Sequence, residues 1–321
     1  MAQLIRFTLL VLLGILSVRA TAQDKVWPVR FGFDDAGGPA YLETKSWFQD
    51  AIGQFSFNLW VMHLKPEPNI RKNIRHFQRM DERCGKMGLK WVCNLESANW
   101  GKSFVDEKGR DWFNRRDGRH FELLPPEILE ALSKCEHFLG VMYDEPAHMQ
   151  NARNLIAARG KPWKPYMYEP SGERLEDAAE GFTRAVKGVS EIYGHYGIRL
   201  YTEQVFPVLF HGFARGGFTT GTKILKESWS PLFIACAMGA AIQYNTELWV
   251  TPDLWYMGDY PGHSTEELRS ALLIAYHMGA DSIYIENLAY DHQDKGLGSL
   301  ILLTDDGYKV TKHGQVARWF A

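Results

Sequence analysis

The chain has 321 residues, with 36 Lys and Arg against 38 Asp and Glu and a formal net charge of −2. That balance removes bulk charge as a reason to expect a nucleic-acid or membrane-surface partner, and the length is long for one sandwich but ordinary for one α/β barrel. Aromatic residues make up 13%, including 11 Trp, enough for a large core and for flat apolar faces that stack on a ligand.

In chain order, 1-MAQLIRFTLLVLLGILSVRATA-22 comes first, with an early Arg6, an apolar run from Phe7 to Val18 and an A-x-A pattern at Ala20-Thr21-Ala22. This pattern predicts a secretory signal peptide cleaved near Ala22, hence a secreted or periplasmic protein, with residues 23–321 left as a single domain. The run is too short for a comfortable membrane helix. No later segment has about 18 uninterrupted apolar residues, so no membrane span is expected. Cys84, Cys93, Cys135 and Cys236 match no zinc or redox spacing and are expected as free thiols, although export would permit a disulfide.

Short apolar runs bounded by Gly, Pro or charge predict strands at Val29–Phe33, Phe57–Met62, Leu89–Asn94, Phe138–Tyr143, Ile198–Thr202, Leu248–Thr251, Ser282–Ile285 and Leu300–Thr304. Helix patterns lie between them. Ile70, Ile74, Phe77, Met80 and Cys84 recur at helical spacing before a stop at Gly88. Pro125-Pro126 opens a helix reaching about Cys135, and Glu173–Tyr193 is long and amphipathic. Ser264 and Glu267 stand in capping-box register before the apolar run Leu268–Met278. Eight buried strands alternating with helices predict a single (β/α)8 TIM barrel of the α/β class. The rival is an open doubly wound sheet, which usually carries a glycine-rich phosphate loop after its first strand; here 34-DDAGGP-39 follows instead.

Several chemistries lack their motifs. G-x-S-x-G, H-E-x-x-H and H-x-H are missing, so neither a serine-esterase elbow nor a familiar zinc site is expected. The stretch 216-GGFTTGTK-223 resembles a P-loop in glycine spacing, but Thr222 separates Gly221 from Lys223. It reads as a flexible loop. No metal and no cofactor is implied.

Acids and amides gather at the predicted strand ends: Asp34 and Asp35, then His63, then Asn94 and Glu96, then Asp144 and Glu145, then Glu203 and Gln204, then Asp253 beside Trp255, then Glu286 and Asn287. In a barrel these ends meet on one face. Carboxylates crowded there must share protons or bind cations, a cost tolerated where it serves a function. Glycosidic cleavage fits: one carboxyl protonates the leaving oxygen, and a second stays ionised as nucleophile or base. Trp60, Trp100, Trp112, Trp163, Trp255, Tyr256 and Tyr290 are candidate sugar platforms, Trp255 foremost. Between them, residues 102–122 interleave Lys and Arg with Trp112 and Phe113, balanced by acids including Asp106, Glu107, Asp111 and Asp117, and read as a solvated loop.

On 140-GVMYDEP-146 and 283-IYIEN-287 the layout resembles the retaining glycoside hydrolases of clan A, barrels with a glutamate acid/base after strand four and a glutamate nucleophile at the end of strand seven. The resemblance implies Glu145 as acid/base and Glu286 as nucleophile, with a carbohydrate substrate. Asp34, Asp35, His63, Glu96, Asp144, Glu203, Asp253, Trp255 and Asn287 would line the sugar site. The tail 302-LLTDDGYKVTKHGQVARWF-320 also resembles the closing segment of such barrels, with a T-x-x-G turn leading into a final helix. Asp144 stands where many clan members have Asn, which leaves Asp144 or Glu203 open as one of the catalytic pair. Two other readings compete: a non-catalytic carbohydrate-binding barrel, and a hydrolase or lyase holding a divalent cation among Asp34, Asp35, Asp144, Glu145 and Glu203.

Overall fold

The computed structural model describes residues 29–35, 42–64, 69–95, 123–147, 167–168, 172–225, 230–255, 262–290 and 298–321. Among them, strand and helix alternate eight times: β1 (Arg30–Asp34), α1 (Phe48–Gly53), β2 (Leu59–His63), α2 (Ile70–Met87), β3 (Lys90–Asn94), α3 (Pro126–Leu132), β4 (Phe138–Asp144), α4 (Leu175–Gly194), β5 (Arg199–Glu203), α5 (Phe210–Arg215), β6 (Thr220–Ile224), α6 (Ser230–Tyr244), β7 (Leu248–Pro252), α7 (Thr265–His277), β8 (Ser282–Ile285) and α8 (Lys312–Phe320). All paired barrel strands are parallel, in the order β5-β4-β3-β2-β1-β8-β7-β6. The two ends join through Thr202 N to Thr219 O at 3.0 Å, Gln204 N to Gly221 O at 3.0 Å and Lys223 N to Gln204 O at 2.9 Å. The protein is a single (β/α)8 TIM barrel.

The side-chain period of two divides each strand between two cores. Leu59, Val61, Val92, Met142, Tyr201, Trp249 and Tyr284 point inward and fill the barrel. Phe33, Trp60, Met62, Trp91, Cys93, Val141, Tyr143, Val250 and Ile283 point outward and pack under the helices. Trp60 is thus a core residue and not a sugar platform: it is 1% exposed and its ring stacks on Phe33 at 5.4 Å.

The helix signals act as their chemistry predicts. Asn69 caps α2 by accepting from Lys72 N, Phe77, Met80 and Cys84 are buried, and Gly88 ends the helix at φ 69°. Ser264 and Glu267 form a reciprocal capping box on α7. Thr311 Oγ1 accepts from Gly314 N at 3.0 Å, so the T-x-x-G turn is the N-cap of α8. All four cysteines are free thiols. Burial pushes the thiols of Cys84 and Cys93 well up and that of Cys135 to about 12, which leaves all three unreactive.

The strand inventory needs one correction. Leu300–Thr304 is not a barrel strand. As β10 (Ile301–Thr304) it pairs with β9 (Ala289–Tyr290) and β11 (Gly307–Val310) in a separate three-stranded sheet. Its place in the barrel belongs to β6, inside the stretch read as a flexible loop. Every residue from Thr220 to Ile224 is buried. A Cβ built on Gly221 would lie 1.9 Å from Thr202 O, so only glycine lets β5 and β6 close the barrel. We expect Gly221→Ala to cost about 3 kcal/mol or more through forced backbone displacement. Chemical denaturation checks this, and a loss below about 1 kcal/mol would mean the seam is pliable.

The N-terminal end of the barrel is closed by a polar floor. Arg30 is ion-paired with Glu247, donates to Ser282 Oγ at 2.7 Å and lies over the Trp249 ring at 5.3 Å, while Trp249 Nε1 donates to Glu247 at 2.8 Å. Such contacts at this end serve stability and leave chemistry to the opposite face. No helix among the described residues is long and apolar enough to cross a membrane.

Candidate active site

At the C-terminal end of the barrel each of the eight strands delivers one inward polar residue. These are Asp34 from β1, His63 from β2, Asn94 from β3, Asp144 from β4, Glu203 from β5, Lys223 from β6, Asp253 just past β7 and Glu286 just past β8. All eight are buried, none more than 5% exposed. Glu145 follows Asp144 directly. The β4–β5 register sets Asp144 beside Glu203, and an isolated parallel bridge joins Asp253 to Glu286.

The centre is Lys223. Its Nζ lies 2.8 Å from Glu286 Oε2, 3.4 Å from Glu145 Oε1, 3.6 Å from both Asp144 Oδ1 and Glu203 Oε1, and 3.7 Å from Asp253 Oδ2. Burial alone would pull its ammonium down, but Asp144, Glu203, Glu286 and Glu145 outweigh that and hold it well above the usual lysine range. Asn94 Nδ2 ties the neighbouring acids together, donating to Asp144 Oδ2 at 3.1 Å and Glu203 Oε2 at 3.2 Å. On the far side His63 Nε2 meets Asp34 Oδ2 at 2.6 Å, and Asp35 Oδ1 accepts from His63 N at 2.7 Å. Asp253 Oδ1 accepts from the backbone of half-buried Trp255 at 2.7 Å, turning the chain away from β7.

Two of the acids around Lys223 stand apart from the other three. The side chains of Glu145 and Glu286 are 8% and 6% exposed, against 1% for Asp144 and 0% for Glu203 and Asp253. The backbone turns sharply just where these acids leave their strands. Glu145 has φ 44°, Asn287 φ 88° and Leu225, after β6, φ 77°. Left-handed geometry is tolerated by Asn but costs Glu and Leu on the order of 1 kcal/mol each. The fold holds Glu145 there through Glu145 N donating to Glu203 O at 2.8 Å.

Glu203 is fully buried. Burial raises its carboxyl well above the ordinary 4.5; Lys223 opposes the rise, and Asp144, Glu286 and Asp34 reinforce it. A carboxyl raised in this way binds its proton more tightly in the folded state than in the unfolded chain. The stability it contributes is therefore present below the ordinary carboxylate pKa and lost as pH rises through the raised value. Glu203→Gln cannot ionise, so we expect it to gain stability relative to the parent as pH climbs above 4.5. Thermal melts across that range test this, and a pH-independent difference between the two proteins would contradict it.

Asp34, Asp35, His63, Asp144, Glu145, Glu203, Asp253, Trp255, Glu286 and Asn287 all lie at this end of the barrel, as their strand ends require. Glu96, Trp100, Trp112, Trp163, Tyr256, the loop 102–122 and residues 1–22 lie outside the described residues, as does the side chain of Tyr290. Lys223 was not foreseen. With β6 restored to the barrel, Glu286 ends the eighth strand and not the seventh, so the strand-seven position of the clan A pattern falls to Asp253.

No known family profile matches the chain, and no characterised protein matches its sequence. Solved structures do. A Bacteroides thetaiotaomicron protein assigned as an alpha-L-fucosidase superposes with TM-score 0.50 at 10% identity, over 92% of this chain and 93% of that one. SrfJ from Salmonella typhimurium gives 0.50 at 11%, over 90% and 73%. The E. coli 3-keto-D-glucoside 4-epimerase YcjR gives 0.46 at 9%, over 91% and 99%. The first two likenesses establish the barrel fold and nothing finer.

Proposed function

We propose that the protein is an exported glycoside hydrolase that cleaves a poly- or oligosaccharide with retention of configuration, using Glu286 as nucleophile and Glu145 as acid/base. The observation that carries this reading is the exposure of the acids. Of the five described carboxylates around Lys223, Glu145 and Glu286 are the least buried, and both contact one ammonium. The sum of their two contacts, an upper bound on the gap between those two oxygens, is shorter than the about 6.5 Å at which inverting pairs begin, which supports retention.

In the first step Glu286 attacks the anomeric carbon while Glu145 gives its proton to the departing glycosidic oxygen. In the second, Glu145 takes a proton from water, whose oxygen displaces Glu286 and releases the sugar. Asp34, His63, Asp144, Glu203, Asp253 and Asn287 form the polar ring available to sugar hydroxyls, with Trp255 at its rim. The N-terminal 22 residues fit export to where polysaccharides are met.

The test is a screen of purified protein against polysaccharides and aryl glycosides, with and without chelator. Product release indifferent to chelator supports the reading. Glycan binding without release would make the protein a carbohydrate-binding barrel, and loss of turnover in chelator would make it a metal-dependent enzyme.

A further inference from the structure

Lys223 has too few hydrogens for its neighbours. An ammonium donates three hydrogen bonds, and five carboxylates lie within 3.7 Å of Nζ. Glu286 Oε2 is the nearest of them, an ion-pair contact at 2.8 Å outside hydrogen-bond geometry, while Nζ donates a hydrogen bond to Glu145 Oε1 at 3.4 Å. Asp144 and Glu203 have a second donor in Asn94, and Asp253 has the Trp255 backbone. We propose that Lys223 is a positioning residue of the barrel mouth, whose ammonium holds Glu286 ionised and fixed in place.

The inference rests on the proposed role of Glu286, and it explains how that role survives in such company. Glu286 shares the mouth with Asp34, His63, Asp144, Glu145, Glu203, Asp253 and Tyr284, and His263 lies within electrostatic reach of Asp253. Among so many acids a nucleophile stays ionised at neutral pH only with a cation against it, and Glu286 has the shortest ion-pair contact to Nζ. Among the remaining carboxylates, burial raises Glu203.

The test uses Lys223→Met, the double variant Lys223→Met with Glu286→Gln, and Lys223→Arg, which keeps the charge. Without the cation the folded protein must hold more protons. The melting temperature of Lys223→Met should therefore fall furthest below the parent at neutral and alkaline pH and recover as pH is lowered. The double variant should recover part of the loss at neutral pH, and Lys223→Arg should retain most of the parent's pH dependence. On a turned-over glycoside, the acid limb of kcat/KM for Lys223→Met should move up by roughly 1–3 pH units, the range expected when an opposite charge beside a carboxylate is lost. A deficit equal at every pH, failure to fold at any pH, or a double variant no better than the single would overturn the proposal. Absence of glycoside turnover in the parent would instead remove the proposed function while leaving the stability measurements to decide the role of Lys223.

Discussion

Glu286→Gln should reduce kcat on a true substrate by roughly 10⁴-fold or more while leaving the protein folded. The substitution preserves shape and removes one charge. An amide at this position cannot form the glycosyl ester, so the double displacement stops at its first step. The fold tolerates the change because Lys223 keeps four other carboxylates within reach, and because β8 is held by its ladders to β1 and β7. The melting temperature should stay within a few degrees of the parent. Near-parental turnover on that substrate would move the nucleophile elsewhere, with Asp253, at the end of β7, the next place to look.

Glu145→Gln should show a different signature, one that depends on the leaving group. A positioned general acid contributes about 10²–10⁴-fold, and that help matters most when the departing oxygen is a poor leaving group. A natural glycan should lose about 10³-fold in kcat/KM, and an activated aryl glycoside much less, because its phenolate leaves without a proton. Added azide should restore turnover of the activated substrate by attacking the glycosyl-enzyme in place of water. If Asp144 or Glu203 were the acid, Glu145→Gln would show neither the leaving-group dependence nor the rescue. The strained φ at Glu145 adds a control: Glu145→Gly should relieve strain yet abolish the acid function.

Much of this was legible in the chain because buried parallel strands are short apolar runs. Phe138–Tyr143 and Ser282–Ile285 look like strands in any context, and both are. The caps at Ser264 and Thr311 were equally plain, since they depend on neighbours three residues away. What escaped was β6. Its inward positions hold Gly221, required by the close approach of Thr202, and Lys223, required by the charge of the mouth. Its outward positions hold Thr220 and Thr222, so no apolar run marks it. A signal was nevertheless present: Thr220, Thr222 and Ile224 are β-branched residues at the strand period. The cost of missing them was double, since the strand count was completed by Leu300–Thr304 and a cation among five acids went unseen. The ring of carboxylates was visible from strand ends alone. The unequal exposure of the acids around Lys223, greatest at Glu145 and Glu286, depends on packing between strands far apart in the chain.

The central claim is that Glu286 forms a covalent bond to sugar, and trapping that bond is its most direct test. A 2-deoxy-2-fluoro glycoside with an activated leaving group, matched to whichever sugar the enzyme turns over, slows both steps and hydrolysis of the intermediate most. Mass spectrometry of the inactivated, digested protein should find one fluorosugar per chain, attached at Glu286. An adduct on Asp253 or another carboxylate, or steady turnover of the natural glycan with inversion and no adduct at all, would contradict the account.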